Sequence, residues 1–86
     1  MELRVGDKVK VVDNGECYTT YTKFFSENNI NPEIAARYMY GKSASKSGYY
    51  RVLAKHEHRS KVDTVCVIED ITSRVFLISE KGIEKL

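Results

Sequence analysis

The 86-residue sequence predicts a mainly β domain, a small antiparallel barrel with a two-helix insertion after its first strand. Three observations carry that prediction. Apolar and polar residues alternate in a strand rhythm over residues 8–12 and 49–58, and β-branched runs recur at 62–69 and 75–78. Between the first two, residues 18–40 switch to the three- and four-residue spacing of a helix face. Turn-forming residues separate the runs. Eighty-six residues make one domain, 1–86, and not two.

The first strand starts after the turn at Gly6-Asp7 and stops at Asp13-Asn14-Gly15, with Val9 and Val11 on the buried face and Lys8 and Lys10 pointing outward. In the insertion, about 18–41, Tyr21, Phe24 and Phe25, with Tyr18 before them, form one aromatic face, and Thr19 or Thr20 is the candidate N-cap. Asn28-Asn29 interrupts this helix. Asn31 then offers a second N-cap, Pro32 a first helical position and Glu33 a favourable first-turn charge. Ile34 stacks over Tyr38 and Ala35 over Met39, and Gly41 is placed to end the helix in a left-handed conformation. The aromatic face is expected to be core, while a ring left projecting outward would mark a homodimer contact.

Residues 41–48 have no apolar anchor except Ala44 and read as a mobile exposed loop. The second strand, 49–58, places Tyr50, Val52, Ala54, His56 and His58 on one face and Tyr49, Arg51, Leu53, Lys55 and Glu57 on the other. A loose turn at Arg59-Ser60-Lys61 leads to a third strand, 62–69, apolar on both faces. A fourth strand at 75–78 follows, then a turn at Ser79-Glu80-Lys81-Gly82 and a short terminal strand or 3₁₀ turn at Ile83. The competing arrangement is an α+β fold, a curled antiparallel sheet packed on two short helices.

Several stretches resemble known proteins. Val5-Gly6-Asp7-Lys8-Val9-Lys10-Val11-Val12 is similar to the first strand of SH3-like small barrels. Gly48-Tyr49-Tyr50-Arg51-Val52, Cys66-Val67-Ile68-Glu69-Asp70 and the run from Val75 to Ile83 resemble their central hairpins and terminal turn. Over nearly its whole length the chain is also similar to a family of uncharacterised small Firmicutes phage and prophage proteins, on Cys17-Tyr18-Thr19-Thr20-Tyr21, Asn29-Ile30-Asn31-Pro32-Glu33 and Arg37-Tyr38-Met39-Tyr40-Gly41. The resemblance implies a phage or mobile-element accessory protein in the cytoplasm of a bacterial host. It brings no active site with it.

Charge is the main functional signal. Arg37, Lys42, Lys46, Arg51, Lys55, Arg59 and Lys61 face one acid, Glu57, between residues 37 and 61, a local balance of +6. The rest of the chain holds seven basic and eleven acidic residues, a balance of −4. Segregated charge steers an acidic partner to one face. Strand alternation brings Arg51 and Lys55 together beside Tyr49, with Lys42 and Lys46 approaching from the loop. The candidate macromolecule-binding set is Arg37, Tyr40, Lys42, Lys46, Tyr49, Arg51, Lys55 and Arg59. An acidic protein surface is the expected partner, because Tyr and Arg anchor protein interfaces and acidic flanks repel phosphate. Single-stranded or duplex nucleic acid is the alternative, with Tyr49 as a stacking platform.

Other chemistry finds little support. Gly41-Lys42-Ser43 matches the end of a phosphate-binding loop without the glycine spacing before it. His56 and His58 share a strand face, but a metal site would need a third ligand such as Cys17, Cys66 or Glu69 brought from elsewhere, and Cys17 and Cys66 lack metal-ligand spacing. They read as free thiols of a reducing compartment. No catalytic residue, metal or cofactor is expected. No apolar run approaches the roughly 18 residues of a membrane span, and the N-terminus has no apolar region before Gly6 that would make a secretory signal.

Overall fold

The computed structural model describes residues 2–86. Strands β1 (Lys8–Val11), β2 (Tyr49–Glu57), β3 (Thr64–Glu69), β4 (Val75–Ser79) and β5 (Ile83–Lys85) form one antiparallel sheet in the order β4-β3-β2-β1-β5. Helices α1 (Lys23–Glu27) and α2 (Pro32–Ala36) are inserted between β1 and β2. The architecture is therefore mainly β with two short helices after the first strand. A 3₁₀ turn, Glu80–Gly82, returns the chain so that β5 lies beside β1. That turn needs a glycine: a Cβ on Gly82 would stand 2.6 Å from the Asp13 carbonyl oxygen, while the Gly82 carbonyl accepts the amides of Val12 and Asp13 at 2.8 and 3.1 Å.

Two cores explain why β3 and β4 carry no polar face. Val9, Val11, Tyr50, Val52, Cys66, Ile68, Phe76, Ile78 and Ile83 pack together on the inner side of the sheet. Val65, Val67, Val75 and Leu77 point to the outer side, where Phe24 and Phe25 of α1 cover them. Successive residues of β3 and β4 thus enter opposite cores, and all are apolar except at the ends. The strand begins later than the apolar run suggests. Val62 is fully exposed in the β2–β3 turn, and pairing starts at Thr64.

The insertion is less helical than its spacing predicts. The Asn31 side chain caps α2, its Oδ1 accepting the Glu33 amide at 2.9 Å, and Pro32 takes the first turn as expected. Tyr18, however, is extended: its amide donates to the Leu77 carbonyl at 2.8 Å, and Cys17 bridges Ile78. Neither Thr19 nor Thr20 caps a helix, and α1 starts only after Thr22. At the other end α2 stops at Ala36, Tyr38 bridges Val75, and Met39 donates to the Val75 carbonyl at 2.9 Å. Gly41 adopts φ +76 in the following loop rather than at the helix end. The free edge of β4 supplies the physical reason. Its unpaired carbonyls and amides need partners, and extended backbone on both sides of the helices provides them.

The loop 41–48 is tied down at the one apolar residue it contains. Ala44 is buried in the inner core, its amide donates to the Cys17 Sγ at 3.4 Å, and the Ser45 amide donates to the Tyr50 hydroxyl at 2.8 Å.

Candidate functional site

The eight candidate residues do not share a surface. The decisive feature is a β-bulge in β2: Val52 pairs with Ile68 and Ala54 with Val67, leaving Leu53 as an extra residue. Alternation resets across it. Arg51, opposite Glu69, faces outward, whereas Lys55, opposite Cys66, turns to the inner side. There the Lys55 Nζ donates to the Leu3 carbonyl at 2.8 Å and pairs with Glu80 at 2.9 Å. Its hydrogen bond to Glu80 raises its pKa. Lys55 is a fastener of the N-terminal segment, which corrects its expected position beside Arg51.

Two more of the cations are engaged. Arg37 donates to Glu69 Oε1 at 3.0 Å and to the Ser73 carbonyl at 2.7 Å, joining the insertion to the β3–β4 turn. Arg59 donates to the Glu27 carbonyl at 2.9 Å, at the end of α1. Lys42 and Lys46 lie exposed on the pinned loop, and Tyr40 is exposed just before it. Tyr49 and Arg51 remain, on the outer face of β2.

Their neighbours come from the N-terminal strand. The β1–β2 register sets Lys8 directly across from Arg51 and Lys10 across from Tyr49. The β1–β5 register sets Glu84 across from Lys10. Lys8, Lys10, Tyr49 and Arg51 therefore form a contiguous block on the outer face that the helices leave uncovered. Tyr49 is 68% exposed and Ile71, from the β3–β4 turn, is 96% exposed. Lys8, Tyr49, Arg51, Glu69, Asp70 and Ile71 line a shallow depression of about 280 Å³.

The acids at the rim are largely occupied. Glu69 is held by Arg37. The Asp70 carboxylate accepts the Thr72 hydroxyl and the amides of Thr72 and Arg74. Burial pushes Asp70 up, but these bonds and the Arg74 charge outweigh it and hold the carboxyl below its usual range. Lys10 meets Glu84 only at 4.0 Å. Among the described residues, Lys8 and Arg51 have no ion-pair partner. Two like charges opposed across a strand pair are locally unfavourable. The sequence does show Lys8 and Lys10 pointing outward. What it hides is that β1 pairs with the start of β2, which adds them to a patch about forty residues away in the chain.

A second polar cluster lies at the far end of β2 and is structural. Tyr18 donates its hydroxyl to Asp63, and the Ser79 hydroxyl donates to the same carboxylate at 2.8 Å. Burial raises Asp63, yet the bonds from Tyr18 and Ser79, the Lys81 charge and the Thr64 amide leave it below its usual range. The same burial and the Asp63 bond push the Tyr18 phenol well above its ordinary value. His58 stacks on Tyr21 at 4.7 Å and His56 packs on Phe24 at 6.0 Å, so both rings serve the aromatic cluster. Both cysteines are free thiols. Burial drives Cys66 up to about 12, and burial also raises Cys17. Among the described residues no group of three His, Cys, Asp or Glu side chains is placed to hold a metal ion, and no helix is long and apolar enough to cross a membrane.

No family model matches the chain, and no curated protein or solved structure was found to be similar to it.

Proposed function

We propose that this protein is a non-enzymatic binding module that takes an acidic protein surface on the outer face of β1 and the first half of β2. One observation carries the reading. Arg51 and Lys8 stand opposite each other without acid partners, beside an exposed Tyr49 and an exposed Ile71. Arg and Tyr are enriched among the residues that anchor protein interfaces. Glu69, Asp70 and Glu84 interrupt the unbroken positive track that a continuous phosphate backbone needs, which leaves a partner with localised carboxylates as the better match. A phage or mobile-element accessory setting is what the resemblance of residues 17–21, 29–33 and 37–41 implies, and it stands as part of this proposal.

Site-specific photo-crosslinking in bacterial lysate tests it. A photoreactive residue at Ile71 gives a discrete adduct that protease destroys and nuclease does not, and Lys8→Glu with Arg51→Glu abolishes it. A photoreactive residue at Val62, equally exposed but remote from the face, gives none. Identical adducts from both positions, or an adduct indifferent to the charge reversals, overturn the reading.

A further inference from the structure

The layout of the uncovered face specifies more than a charge sign. The two registers arrange it in two rows. One runs Lys8, Arg51, Glu69 across β1, β2 and β3, with Leu86, whose amide donates to the Lys8 carbonyl, beside Lys8. The other runs Glu84, Lys10, Tyr49 across β5, β1 and β2. Lys8 and Lys10 are two residues apart on one strand, about 7 Å along the chain direction, and Arg51 is the immediate cross-strand neighbour of Lys8. The three cations thus occupy neighbouring positions of one face, Lys8 across from Arg51 and Lys10 one outward position along β1. Lys8 and Arg51 also form one wall of the depression, whose other walls are Tyr49 and Ile71 and the occupied acids Glu69 and Asp70.

Resting on the reading above, we infer that the face binds a short acidic protein segment with an apolar side chain beside its carboxylates. One carboxylate lies between Lys8 and Arg51, where the guanidinium offers a bidentate fork. A second reaches Lys10, displacing its long contact with Glu84. The apolar side chain fills the depression between the Tyr49 ring and Ile71. That contact buries exposed apolar surface and supplies affinity that a rim of surface ion pairs alone does not. Charge complementarity argues for this occupant. A second copy of the chain is a poorer fit, since the face would oppose its own Lys8 and Arg51 to theirs across a two-fold interface.

Fluorescence anisotropy on the intact protein tests the inference with three labelled probes: a peptide of alternating glutamates around a central Phe, the same peptide with Ala at the centre, and an oligothymidylate. The Phe peptide binds, the Ala peptide binds roughly tenfold more weakly, and the oligothymidylate binds least. Arg51→Ala weakens the Phe peptide, and Ile71→Ser removes the preference for Phe over Ala. Because Ile71 and Arg51 are exposed, both variants remain folded, and circular dichroism verifies this. Equal binding of the two peptides, or tighter binding of the oligonucleotide with a steep salt dependence, overturns the inference. If neither peptide binds while the Ile71 crosslink persists and still needs Arg51, the acidic-segment inference fails and the docking face stands.

Discussion

Arg51 and Lys55 are four residues apart on one strand and project from opposite faces of the sheet, because Leu53 is bulged between them. The separation divides their roles. Lys55 spends its charge on the Leu3 carbonyl and Glu80, while Arg51 is left outside with Lys8 opposite.

The two residues therefore respond differently to truncation. Lys55→Ala removes a charge-assisted bond to a main-chain carbonyl and lowers stability by about 1–2 kcal/mol. Arg51→Ala removes an exposed charge that stands between Lys8 and Glu69 and changes stability by less than about 0.5 kcal/mol. Urea titrations of the two variants measure the difference, and equal losses would contradict the opposite placement.

Acid sensitivity follows from Asp63. Its folded carboxyl titrates below its unfolded value of about 4. The stabilisation it brings is complete above that unfolded value and is lost as pH falls through the folded pKa. Asp63→Asn is thus destabilising near neutral pH, and the gap to the wild type narrows as the solution is acidified through the carboxylate range. A gap that stays constant with pH would show that Asp63 acts by packing alone.

The two thiols should label at different rates. Cys66 is fully buried in the inner core with its pKa pushed up to about 12, whereas Cys17 is half-buried beneath the pinned loop. In native protein a thiol reagent modifies Cys17 slowly and Cys66 only on global unfolding. Mass spectrometry of partly labelled protein checks the order, and early loss of Cys66 would mean that the inner core opens locally.

Gly82→Ala should be among the costlier single-methyl substitutions. The added Cβ meets a main-chain oxygen at 2.6 Å, with no flexible side chain to yield. The expected loss is about 1–3 kcal/mol, read from a thermal or denaturant melt. A variant as stable as the wild type would mean that the return from β4 to β5 has slack that the structure lacks.

Local signals carried most of this fold into the sequence. Alternation at Lys8–Val11, the Asn31-Pro32-Glu33 start and the doubly apolar runs of β3 and β4 each reflect a preference settled within a few residues. Features set by distant partners were not legible. Tyr18 and Tyr38 keep helical spacing in sequence yet run extended, because the edge of β4 claims their backbone. The bulge at Leu53 has no glycine or proline to announce it, and it moved Lys55 off the candidate face. Lys8 and Lys10 depend on pairing in the same way: their outward orientation is local, but only the β1–β2 register sets them beside Arg51 and Tyr49.

The most direct test of the central claim is an amide chemical-shift map of the isotopically labelled protein titrated with the glutamate-flanked Phe peptide. Docking on the outer face concentrates the perturbations at Lys8, Lys10, Tyr49, Arg51 and Ile71 and leaves the β2–β3 turn at Arg59 and Lys61 and the loop at Lys42 and Lys46 unmoved. Perturbations centred on the turn or the loop, with the outer face silent, would contradict it.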